Sequence, residues 1–190
     1  RAAYLAEAVA EATLMRGEAV TLVGWVEGLP EALRRQRPSL EFFYAAALLI
    51  SGRSLADAGA SLEAPDKEDR AAQARVAALR GYLAAYRGDL DAAAELSAQA
   101  LSGLSEQDTL LHSAAKWIRT VAHLYDVDLD TSAASLAEIA RSSEKAGNIA
   151  VAASAWSDLA AVHARKGELR EAKRTFERVL HMARDDHGNY

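Results

Sequence analysis

The sequence predicts an all-α fold, a right-handed superhelix of antiparallel helix hairpins repeating about every 40 residues. Three observations carry this. Apolar residues recur at helical spacing along the chain, and no segment sustains the period-two alternation of a strand. Alanine dominates the apolar residues, while eleven glycines and three prolines punctuate the periodic segments. Three turns also look alike: RGDLDAA at 87–93, DVDLDTS at 126–132 and KGELREA at 166–172.

Taken in order, residues 2–16 form a first helix stopped near Gly17, and 18–28 a second ending at Gly28. Pro30 and Pro38 each stand where a helix can start, because their fixed φ suits a first turn. They open a short helix at 30–36 and a longer one at 38–51. Ser54 with Asp57 resembles a capping box for 54–63. Pro65-Asp66 heads a long helix, 66–87, closed by Gly88. The next, 89–104, buries Leu90, Ala93, Ser97, Ala100 or Leu101, and Leu104. Gln107 to Asp126 carries two overlapping apolar lines, Leu110–Ala114–Ile118–Val121–Tyr125 and Leu111–Ala115–Ile118–Ala122–Tyr125. Such a helix must be covered over most of its circumference. Residues 130–146 bury Ala133, Leu136, Ile139, Ala140 and Ser143. Gly147 then stops that helix and Asn148 caps the next, 149–166. The last helix, 168–184, is expected to bury Leu169, Ala172, Phe176, Val179 and Leu180.

The repeat follows from aligning Gly88, Val127 and Gly167. From 88 to 127 is 39 residues and from 127 to 167 is 40. Leu90, Leu129 and Leu169 then coincide, as do Ala93, Ser132 and Ala172. SGRSLADA at 51–58 fits with one inserted residue. The glycine releases the first helix, the leucine seats the second, and the small residue permits close approach. One hairpin cannot bury its apolar faces alone, so neighbours must stack.

One line of the 107–126 helix breaks the apolar rule: His112, Lys116, Arg119 and His123 project from a single edge. At the same register the preceding unit has Gln73, Ala77, Arg80 and Ala84, and the following one Ala152, Trp156, Leu159 and His163. If first helices line a concave wall, Arg80, His112, Lys116, Arg119, His123, Trp156 and His163 form one basic patch with an aromatic platform. Such a patch suits a sugar, an anionic metabolite or an acidic peptide. Two readings stay open: a solvated charged edge with Trp156 in the core, or a binding wall.

The segment GWVEGLPEALRRQRPSLEFFYAAALLISGRSLADA, 24–58, has Trp25, Leu29, Pro30, Pro38 and Leu40 in an arrangement that resembles the start of the superhelical domain of MalT-like, ATP-dependent LuxR-type regulators. RGDLDAAAELSAQAL and KGELREAKRTFERVL resemble that family's tetratricopeptide-like repeats, so the likeness covers nearly the whole chain. The resemblance implies a cytoplasmic, bacterial sensing domain that receives a small-molecule inducer or a regulatory protein. It implies a flanking ATPase and a helix-turn-helix domain in the full protein, with possible self-association. Val127 in place of glycine departs from the family's turn.

The remaining chemistry is negative. Residues 1–190 read as a single domain, a fragment of a larger protein beginning and ending inside helical pattern. A net charge of -5 argues against this piece holding nucleic acid by itself. The absence of cysteine excludes disulfides and thiolate ligands and fits a reducing compartment. The longest apolar run, 42–50, is far below the roughly 20 residues that span a bilayer, so no membrane contact is expected. No GxxxxGK[ST] loop is present to bind ATP, and no cofactor is expected. His181, Asp185 and His187 cluster near the end without the spacing of a metal site. Ser113 and His112, being sequence neighbours on a helix, diverge and make no nucleophile–base pair. No enzyme is expected.

Overall fold

The computed structural model describes residues 1–53, 69–124 and 128–183. Ten helices, and no strand, occur among the described residues: α1 (Ala2–Met15), α2 (Ala19–Glu27), α3 (Glu31–Arg35), α4 (Pro38–Ser51), α5 (Arg70–Tyr86), α6 (Leu90–Gly103), α7 (Thr109–Ala122), α8 (Leu129–Lys145), α9 (Ile149–Arg165) and α10 (Leu169–Met182). The expected 54–63 helix and the aligned Val127 lie outside the described residues.

Local chemistry sets the helix ends. Pro38 occupies the first turn of α4. Asp69, Asp89, Asp128 and Asn148 each accept backbone N–H bonds at the heads of α5, α6, α8 and α9. Asp69 thus caps α5, in place of the Pro65 or Asp66 expected from sequence; both of those lie outside the described residues. Gly88 and Gly167 close α5 and α9 at φ of 79° and 80°, a conformation costly for any side chain with a Cβ. The helix expected over 107–126 is shorter: Asp108 stands at its N-cap and His123 at its C-cap. Asp108 is held by Arg75 of α5 at 2.7 Å, which pins the head of α7 to the preceding hairpin.

The hairpins are α5–α6, α7–α8 and α9–α10. Their first helices lie side by side, α5 on α7 and α7 on α9, and each second helix also packs on the first helix that follows it. The second helices hardly touch one another. A stack close-packed along one row and splayed along the other must curve, so α5, α7 and α9 form the inner wall. The N-terminal helices form a small bundle, with α1 and α2 on α4, and α1 reaches across to α7 and α9. One core joins α1, α2, α4 and α5 to Leu104, Leu110 and Leu111; another centres on Leu136, Ile139, Val151 and Leu159.

The sequence expected the last helix to bury five residues. Only Ala172 is buried, while Leu169 is 68 %, Phe176 44 % and Leu180 50 % exposed. The reason is positional. Helix α6 is packed between α5 and α7, and α8 between α7 and α9, but α10 packs chiefly on α9 and reaches α8 through Arg178.

Small residues set how closely the helices of the first hairpin approach. A methyl group at Gly103 would sit 2.8 Å from the Cβ of Ala74 and 3.3 Å from the carbonyl oxygen of Arg70. Overpacking of about 1–3 kcal/mol then outweighs the gain of about 1 kcal/mol in helix propensity. Gly103→Ala is therefore expected to lower stability in urea melts by about 1 kcal/mol. A stabilised variant would show that α5 and α6 do not pack this tightly.

Candidate functional site

Four helices that are far apart in sequence converge on one cavity of about 180 Å³. From the N-terminal bundle, α4 contributes Ala46, Leu49 and Ile50. The inner wall contributes Ala78, Leu79 and Tyr82 from α5, Leu110, Leu111, Ala114, Trp117 and Ile118 from α7, and Ala150, Val151 and Ser154 from α9. Leu49, Leu79, Leu110, Leu111, Ile118 and Val151 are buried and make an apolar floor. Ile50, Tyr82, Ala114, Trp117, Ala150 and Ser154 are half-buried and frame the mouth. The space exists because four wall positions, one on each helix, are alanine: Ala46, Ala78, Ala114 and Ala150.

The polar groups sit at the mouth. Tyr82 and Trp117 stand with ring centres 6.1 Å apart and planes tilted by 49°. The Trp117 indole Nε1–H donates to Asp158 Oδ2 at 2.7 Å, one helical turn beyond Ser154 on α9. Burial raises the Tyr82 hydroxyl pKa, and the nearby Tyr86 adds to the effect, so the phenol stays neutral. Burial also pushes the Asp158 carboxyl above the ordinary aspartate range, against the lowering effect of the Trp117 hydrogen bond.

An acid whose folded pKa is raised holds its proton more tightly in the fold than in the unfolded chain. Its contribution to stability is therefore largest below the unfolded pKa and is lost as pH rises through the folded value. Asp158→Asn keeps an oxygen acceptor for Trp117 and removes the titration. Melting temperatures of the wild type should fall relative to Asp158→Asn as pH rises out of the ordinary aspartate range. Parallel curves would show that Asp158 is not held in a desolvated site.

None of the seven residues expected to line a binding wall lines this cavity. Lys116 follows Ala114 by two positions and Arg119 follows Trp117 by two, about 200° round the helix at 3.6 residues per turn. The edge formed by His112, Lys116, Arg119 and His123 thus faces away from the cavity. The same register on α9 explains the direction. Trp156 and Leu159 lie in the core with Leu136 and Ile139 of α8, on the side of the second helices. Trp156 is 8 % exposed, and its ring is covered by the Arg178 guanidinium of α10 at 4.4 Å. Arg178 in turn bonds both oxygens of Glu144 on α8. Trp156 is therefore no open platform beside Lys116.

Lys116 and Arg119 are exposed on α7 and His123 at its C-cap, as Arg80 is on α5. His112 is half-buried; burial, then the Lys116 ammonium, lower its pKa, so it adds no charge at pH 7. His163 is engaged in the α9–α10 turn: its Nδ1 lies 2.6 Å from Glu168, which Lys166 also holds, and Lys166 reaches Asp130 of α8. The seven do not assemble into one patch. Of the terminal cluster, His181 is exposed, and Asp185 and His187 lie outside the described residues.

Sequence reasoning passed over Tyr82, Asp158 and the contribution of α4. One signal was present for Asp158: it is the only Asp, Glu, Lys or Arg in the apolar run from Ile149 to Ala164. No helix among the described residues is long and apolar enough to cross a membrane.

Residues 74–190 match the family model of the MalT-like TPR region. No curated protein and no solved structure matches the chain. The matched span begins within α5, so it rests on the three hairpins and not on the 24–58 segment whose Trp and Pro pattern first suggested the resemblance. With well over half its length matched, and with hairpins stacked at the period read from the sequence, this chain belongs to the MalT-like TPR family.

Proposed function

We propose that this chain is the effector-sensing, non-catalytic domain of a cytoplasmic, ATP-dependent LuxR-type regulator. A small-molecule inducer received here would bias the relative positions of its hairpins, and flanking ATPase and helix-turn-helix domains would carry the response to DNA. One observation carries the reading: α4 and three successive first helices share a single cavity, so one occupant contacts every unit of the inner wall. A ligand with differential affinity for two arrangements of that wall shifts their populations.

The test is a ligand titration followed by melting temperature. A compound present at 100 times its dissociation constant adds about 2.7 kcal/mol. For a domain of this size that is a rise of roughly 5–11 °C. Candidate inducers that act on the parent regulator yet leave this domain's melting temperature unchanged would place sensing elsewhere.

A second reading is protein docking or self-association, favoured by the uncovered stripe of Leu169, Phe176 and Leu180 on α10. Under that reading the mass measured by light scattering rises with concentration, and Phe176→Glu abolishes the rise.

A further inference from the structure

We propose that the inner-wall cavity takes a small, uncharged aromatic molecule carrying one hydrogen-bonding group, the ring on the apolar floor and the polar group at the mouth. The proposal deepens the sensing reading and rests on it for its regulatory consequence. Size is the first argument. A cavity of about 180 Å³ falls below the roughly 300–1,000 Å³ of sites for drug-sized ligands. It exceeds the roughly 150 Å³ of an apolar cavity that accepts benzene.

Chemistry is the second argument. No Lys, Arg, His, Asp or Glu lines the space, so a carboxylate or phosphate would enter without a counter-charge. A sugar would bury several hydroxyls against a floor of leucine, isoleucine, valine and alanine, where they find no partner. Only Tyr82, Trp117 and Ser154 bring polar side-chain atoms, and all three stand at the mouth. The Trp117 N–H is already given to Asp158, and this bond fixes the indole plane. The Ser154 hydroxyl donates to the Ala150 carbonyl at 3.0 Å and is left to accept, while the Tyr82 hydroxyl can donate or accept; these two are the groups placed to meet a single polar group of a guest. The tilted Tyr82–Trp117 pair offers ring faces and edges, the geometry by which aromatic groups recognise one another.

The experiment follows side-chain methyl resonances of Ile50, Leu111, Ile118 and Val151 by NMR while the domain is titrated with indole, toluene, benzoate or glucose. Indole is expected to shift these methyls saturably. Toluene should bind more weakly, and benzoate and glucose should leave them unmoved. Ala114→Leu fills the cavity from α7 with a good helix former and should remove the indole response. Ala150→Leu narrows the mouth from α9 and gives the same result should Ala114→Leu impair folding. Tyr82→Phe combined with Ser154→Ala should erase the advantage of indole over toluene.

Absence of saturable shifts with indole overturns the proposal, as does indole binding that survives both leucine variants. A response to benzoate, glucose or toluene in preference to indole overturns it equally. An inducer of the parent regulator that still acts when Ala114 is leucine refutes the cavity assignment and leaves sensing intact. Indole binding in the cavity while the regulator's output ignores Ala114→Leu upholds the assignment and sinks the sensing reading alone.

Discussion

Leu136→Ala is expected to destabilise the domain by about 2–5 kcal/mol, the range for a leucine truncated in a sealed core. Leu136 is fully buried on α8, in a cluster with Ile139 of its own helix and Val151, Ala155 and Leu159 of α9. Ion pairs at the surface bridge the helices around this cluster. Arg178 spans α8 and α10, and Lys166 ties the α9–α10 turn to the head of α8. The melting temperature should fall by roughly 2–4 °C for each kcal/mol lost. Leu180→Ala, half-exposed on α10, is the control and should cost much less. The core around Leu136 is distinct from the one joining α1 to α5, and stacked repeats are stabilised by their neighbours. Hydrogen exchange in α8 and α9 should accordingly speed up more than in α4 and α5. Equal losses for Leu136→Ala and Leu180→Ala would contradict the packing described.

Asn148→Ala is expected to cost about 2–3 kcal/mol, more than an ordinary helix cap. The side chain is fully buried and has two tasks. Its oxygen accepts the Val151 N–H at 3.3 Å, and its nitrogen donates to Ser113 Oγ of α7 at 2.8 Å. Alanine at this position leaves a buried N–H unpaired and cuts the polar link between the second and third hairpins. Asp89→Ala removes an exposed cap of similar geometry at the head of α6, where water replaces the lost acceptor, and should cost about 1 kcal/mol. Urea melts of the two variants give the comparison. If Asn148→Ala costs no more than Asp89→Ala, the Ser113 link is without energetic consequence.

The hairpin register was legible because its signals are local. Gly88 and Gly167 take positive φ, Asn148 caps α9, and Leu136 and Ala140 recur at helical spacing on a buried face. The side of α7 that faces inward was not legible. Its apolar residues cover so much of the circumference that either side could face a neighbour, and four basic side chains share one edge whichever way it points. The structure reverses the assignment: Ala114 and Trp117 face the cavity and Lys116 and Arg119 the opposite side. What decides between them is long-range. Helices α1 and α4 pack across the inner wall, a contact between segments about 100 residues apart that leaves no periodic trace in either. The exposed Leu169, Phe176 and Leu180 mark a related limit. An amphipathic pattern tells which side of a helix can be covered; whether a neighbour is there to cover it depends on position in the stack.

The sparse contact among α6, α8 and α10 has a mechanical consequence. The molecule resembles a bent leaf spring, tight along its inner edge and slack along its outer one. Small changes in spacing at the tight edge, of the size a wedged side chain or guest could impose, translate into larger swings of the free ends. The bridge of Arg178 to Glu144 straps α8 to α10, and severing it should soften the bend at that end first.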